Sequence, residues 1–153
     1  PRRGGTTRTR PAPPAAVSLS LERALLVGGR VTLASLFVLG GVAKLASPEL
    51  YLAMMDEAGL APARLLLNLV VALELGGGLW LATGVRGHGI AAVVLAAHTL
   101  LVNLFLHPFW ELAGPERIDE ISFFFKNVSI VGGLLFVAGV ARRVSRIQDT
   151  ETR

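Results

Sequence analysis

The chain has 153 residues, 52% of them hydrophobic and only 17% charged, a balance that excludes an ordinary soluble domain and fits a small polytopic membrane protein. It contains no cysteine, which rules out disulfides, thiol redox relays and thiolate metal sites within this chain. The net charge is +4, yet the basic residues are not interleaved with aromatic ones as a nucleic-acid surface requires, so no nucleic-acid partner is expected.

Residues 1–20 are rich in Pro, Arg, Thr and Ala and too poor in bulky apolar side chains to fold alone, so they read as a basic tail. Arg2-Arg3 suggests a twin-arginine export signal, but Arg30 within the following apolar run and the lack of a convincing cleavage site favour a retained first span. The tail then acts as a positive anchor; the alternative is an arm that docks on a partner subunit or on anionic lipid.

Four apolar runs follow, each of the length that crosses a bilayer as a helix: Ala24 to Leu45, Leu65 to Val85, Gly89 to Leu106 and Ile121 to Val140. They are continuously apolar rather than alternating, which argues against a β-barrel. The fold class is therefore an all-α integral membrane four-helix bundle, with a membrane domain over 21–143 and a C-terminal tail over 144–153. Between the first two spans, Ser47-Pro48-Glu49 has the form of a helix start, with Ser as N-cap. The segment that follows places Leu50, Met54 and Met55 near one face and stops at Gly59, so an interfacial helix is expected there.

Charge sets the orientation. Arg2, Arg3, Arg8, Arg10 and Arg23 precede the first span, Arg86 joins the second to the third, and Arg142, Arg143, Arg146 and Arg153 follow the fourth. The opposite connections hold only Arg64 and Arg117, with most of the acids: Glu49, Asp56, Glu57, Glu111, Glu116, Asp119 and Glu120. Basic residues stay on the cytoplasmic side, so both termini are expected in the cytoplasm of a cell whose inner membrane holds the chain. Gly77-Gly78-Leu79 with Gly84-Val85 recurs as Gly132-Gly133-Leu134 with Gly139-Val140, which suggests two duplicated hairpins, although glycine pairs are also common wherever helices pack closely in lipid.

The spans carry ionisable residues that lipid tolerates poorly: Arg30, Lys44, Glu74, His98 and Lys126, the last followed by Asn127. At about 1.5 Å of rise per residue, Glu74 and His98 share nearly one level, and Lys126 lies roughly 6 Å nearer the outer end, within reach of a lysine. Arg30 and Lys44 project from nearly the same face as Phe37 and Gly41, and form a polar seam with Lys44 at the rim, where its amine can snorkel. Two readings stand. In one, Glu74 neutralises Lys126 or Arg30 and only holds the bundle together; in the other, Glu74, His98, Lys126 and Asn127 line a cavity that binds a ligand or carries protons. His107 lies about half a turn off the face of His98, so the two histidines do not form a metal site. His107, Phe109 and Trp110 end the third span as an interfacial anchor or as a lid over the outer mouth.

These residues resemble the DoxX family of small four-span membrane proteins. The resemblance is carried by Arg30 with Gly40-Gly41-x-x-Lys44-Leu45, by Glu74-Leu75-x-Gly77-Gly78, by His107-x-Phe109-Trp110, and by Phe125-Lys126-Asn127 followed by Gly132-Gly133. It implies a four-helix bundle in the bacterial cytoplasmic membrane. In some relatives it also implies membership of thiosulfate:quinone oxidoreductase or oxidative-stress complexes. The expected function is an auxiliary subunit that contacts lipid and other membrane subunits and takes quinone or lipid into its bundle, without an intrinsic cofactor. The alternative is a subunit of a quinone-linked sulfur oxidoreductase. Transport is disfavoured, because the spans lack the broken helices expected of many transporters.

Overall fold

A computed structural model describes residues 15–151. Most of the N-terminal tail, 1–14, and the last two residues lie outside that range. The described chain forms α1 (Ala15–Ala46), α2 (Pro48–Glu57), α3 (Ala63–Thr83), α4 (His88–Leu106), a single 3-10 turn (Phe109–Glu111) and α5 (Gly114–Glu151). Four helices are long and apolar enough to cross a membrane, over Leu19–Ala46, Ala63–Thr83, His88–Glu111 and Gly114–Arg146. No strand occurs among the described residues.

α3, with 21 residues, measures about 31 Å and matches the hydrocarbon thickness, whereas α1 and α5, with 32 and 38, project beyond it. α1 begins at Ala15, inside the segment read as tail, and α5 runs through the segment read as a C-terminal tail to Glu151. Neither stretch contains a glycine or proline that would stop a helix between Ala15 and Gly28 or beyond Gly139.

α1 packs chiefly on α3 and α4 chiefly on α5; α3 and α4 join the two pairs, while α1 and α5 touch only lightly. Without a hydrophobic drive inside lipid, such pairs depend on close backbone approach. Gly78 shows this: a Cβ there would stand 2.9 Å from Val38 Cγ2 and 3.3 Å from the carbonyl oxygen of Ala34, so α3 meets α1 at a distance only glycine allows. The other glycine motif does a different job. Gly132 has open space where a Cβ would go and Leu134 is fully buried, whereas Leu79, its counterpart, is exposed. The two copies therefore do not occupy equivalent positions in the bundle.

The core has two parts. Ala34, Phe37, Leu81, Ala92, Leu95 and Leu134 fill the centre, and Met55, Leu67 and Val71 seat α2 on α3. α2, the α2–α3 connection and the α4–α5 connection share one side, here called the α2 side; the chain ends and the α3–α4 connection share the other. α2 takes the place expected of an interfacial helix, but only Met55 of its apolar face is buried, and Leu50 and Met54 are exposed. Ser47 forms no side-chain cap; a single residue separates α1 from α2, and its amide donates back to Ala43 at 3.0 Å to finish α1.

Candidate functional site

Glu74 is the centre of the site. It is buried on α3 and is met by two neighbours: Lys44 Nζ of α1 stands 3.0 Å from Oε1 and 2.9 Å from Oε2, and His98 Nε2 of α4 lies 3.2 Å from Oε1. The side chains of Lys44, Glu74 and His98 are 16%, 8% and 9% exposed. A carboxylate with an ammonium on both oxygens and an imidazole N–H on one is satisfied and nearly neutralised, which is what a charge at this depth requires. The ammonium also stands 4.9 Å from the Tyr51 ring centroid of α2, a cation–π contact that holds Lys44 from the opposite side.

The glycines make this possible. A Cβ on Gly40 would stand 3.3 Å from Glu74 Oε2 and 3.7 Å from Lys44 Nζ, and one on Gly41 would collide with Leu75 at 2.8 Å. Gly40-Gly41-x-x-Lys44 on α1 and Glu74-Leu75-x-Gly77-Gly78 on α3 are thus two halves of one contact. Glycines clear a groove on α1, the carboxylate lies in it, and the lysine one turn along closes over it.

The structure corrects three expectations. Glu74 is neutralised by Lys44, not by Lys126 or Arg30. Lys44 does not snorkel at the rim, because helical side chains lean toward their own N-terminus and α1 runs toward the α2 side, which directs the amine down to Glu74. Lys126 leans the other way. α5 runs away from the α2 side, so Lys126 lies exposed on the bundle surface with its Nζ 4.5 Å over the Phe123 ring, one turn nearer that side.

Asn127 belongs to a clasp rather than to the Glu74 group. Its Nδ2 donates to Asn103 Oδ1 at 2.9 Å, and Asn103 Nδ2 donates to the Phe124 carbonyl at 3.0 Å, tying α4 to α5. Asn103 is 1% exposed and was not singled out by sequence; its only signal is an amide in an otherwise apolar run. Arg30 braces the far end of α3: its Nη2 donates to Ala82 at 3.4 Å, and Gly84, at φ +68, presses its Cα against the guanidinium, where a Cβ would collide. Buried Phe37 and Gly41 lie between Arg30 and Lys44 on the face that α1 turns to α3.

Above the charged group lies a cavity of about 200 Å³, lined by Lys44 and Glu74 at its floor, by Tyr51, Met54 and Met55 of α2, by Val70, Val102 and Leu106, and by His107. His107 is therefore part of the cavity wall. Its Nδ1 lies 2.7 Å from Glu120 Oε2 of α5. Phe109, Trp110 and Phe124 stack edge to face at 5.1 to 6.1 Å beside it, with Trp110 half exposed.

The model of the DoxX family matches residues 25–108, more than half of the chain. The chain belongs to the DoxX family. Comparison with curated proteins and with solved structures gives no match. The DoxX match takes in Arg30, Lys44, Glu74, His98 and His107 and ends before α5, so Lys126 and Asn127 lie outside it. In this DoxX protein, the matched part contains the whole charged group and every cavity residue.

Proposed function

We propose that this DoxX protein is an auxiliary subunit of a larger membrane complex and receives the head group of a quinone or lipid in the cavity above Glu74. The observation that carries the reading is the composition of that cavity: apolar walls, with an ammonium, a carboxylate and an imidazole within it. At about 200 Å³ it is smaller than the roughly 300–1,000 Å³ of pockets that engulf a drug-sized ligand. It suits a ring-sized head group whose tail stays in lipid. Lys44 and Tyr51 supply donors to a ligand oxygen, and Met54 and Met55 supply adaptable apolar contact.

In this reading the membrane is a bacterial inner membrane, and the charge asymmetry supports a topology with both termini cytoplasmic and the cavity toward the outer face. The second reading, a subunit of a quinone-linked sulfur oxidoreductase, is favoured by the Glu74 and His98 contact, since reduction of a quinone to quinol takes up two protons and such a pair can pass them.

Equilibrium binding of a short-chain quinone and of a phospholipid to the full chain in nanodiscs tests the cavity. Saturable binding of either, abolished by Met55→Trp, supports it. No saturable binding of either rejects it. Purification in mild detergent tests the subunit role, which fails if the protein is recovered alone from its native membrane.

A further inference from the structure

The cavity has ionisable groups at both ends, but only the end with His107 lies at the rim of the bundle. Toward the α2 side, His107, the residue after α4, and Glu120, in the second turn of α5, form a pair at the end of the bundle whose side chains are 21% and 25% exposed. His107 also lines the cavity whose floor is Lys44 and Glu74. Toward the other side, the residues beyond Glu74 and His98 are Ala34, Leu81, Ala92, Leu95 and Leu134, all 0% exposed and all apolar. This apolar layer itself offers water no polar partner, and it separates the group from Arg30, whose Nη2 donates to the Ala82 carbonyl and whose buried Nε has no partner among the described residues on the far side of the layer.

We infer that the His107–Glu120 pair is the proton inlet of the buried Lys44–Glu74–His98 group, and that this group exchanges protons with the α2 side of the membrane alone. The inference rests on the cavity proposed above as the site, but not on the identity of its ligand. The titratable groups that face the cavity or adjoin it are Lys44 from α1, Tyr51 from α2, Glu74 from α3, His98 from α4, His107 beyond its end, and Glu120 from α5. Glu111, in the turn that packs on α5, is exposed and outside the cavity wall.

An imidazole suits this place because it has two nitrogens with separate roles. Nδ1 accepts a proton from the carboxyl of Glu120, and Nε2 releases its own proton to water in the cavity. The ring ends neutral in its other tautomer, Glu120 ends ionised and is reprotonated from bulk water, and a ring flip resets the cycle. A cavity of about 200 Å³ has room for several waters between His107 and the charged group.

The test uses the full chain in liposomes, with orientation fixed by capturing vesicles through a C-terminal affinity tag, which leaves the α2 side in the lumen. Protonation of the Glu74 group is followed by its infrared carboxylate band, assigned by loss in Glu74→Gln, after a jump of external pH. In captured vesicles the band stays still until a protonophore equilibrates the lumen; in the uncaptured vesicles, of opposite orientation, it responds at once. In the uncaptured vesicles, His107→Phe and Glu120→Gln each slow the response at least tenfold, and Glu116→Gln leaves it unchanged.

Glu120→Gln keeps a hydrogen bond to His107 and decides the matter should His107→Phe fail to fold. A response from the opposite side, a rate untouched by Glu120→Gln, or a band silent to both jumps overturns the inference. Quinone and lipid binding are measured separately, so a cavity that binds neither but still fills with protons from one side overturns the ligand reading alone.

Discussion

Lys44 holds both carboxylate oxygens of Glu74, at 3.0 and 2.9 Å, and by doing so joins the first transmembrane helix to the second at a point where neither charge could stand alone. Removing one member of a buried pair leaves the other uncompensated, typically at a cost of about 3–5 kcal/mol. Lys44→Met and Glu74→Gln are each expected to lower the melting temperature in detergent sharply. The double variant is expected to recover much of the loss. Losses that simply add would show that the two residues do not depend on each other.

Position 44 and position 126 both hold lysines within spans, but only one faces the cavity. Lys44→Met is expected to weaken quinone or lipid binding at least tenfold in nanodiscs. Lys126→Met, on the exposed face of α5, is expected to leave it within twofold. Equal losses would mean that Lys126 reaches the site after all.

The close approach of α3 to α1 makes Gly78 intolerant of a side chain. Gly78→Ala is expected to cost about 1–3 kcal/mol, because Val38 must move and the Ala34 backbone cannot. Gly132→Ala, where space is open, is expected to be neutral or to gain up to about 1 kcal/mol from better helix propensity. Thermal unfolding of the two variants side by side checks the contrast.

The clasp between α4 and α5 depends on one amide. Asn103→Leu removes the acceptor for Asn127 and the donor for the Phe124 carbonyl. Side-chain hydrogen bonds between membrane helices average about 0.6 kcal/mol and reach about 1.7 kcal/mol. A loss within that range is expected from unfolding in mixed micelles, together with faster exchange of backbone amides near Phe124.

The number of spans and the place of the short interfacial helix were legible because apolar length and a helix-start pattern are local signals. So was the shared level of Glu74 and His98, since rise per residue fixes depth along parallel or antiparallel rods. The partner of Glu74 was not legible from depth alone. Backbone height puts Lys126 nearer than Lys44 to the level of Glu74, but a lysine amine lies several ångströms from its Cα, and the helix direction decides which way it leans. Asn103 escaped notice for another reason: an amide has no charge, so its cost in lipid appears only when its neighbours are known. The duplicated glycine motif misled because a Gly-Gly pair marks close packing without saying which partner packs there, and α3 and α5 turn theirs to different surroundings.

The ion pair between α1 and α3 also bears on how the chain enters its membrane. A lone charge at the centre of a span, where Glu74 stands in α3, costs about 2.5–3.5 kcal/mol in insertion. Lys44 and Glu74 belong to spans that are synthesised one after the other and joined through α2. Released sideways as a hairpin, the two helices present lipid with a neutral pair instead of two separate charges.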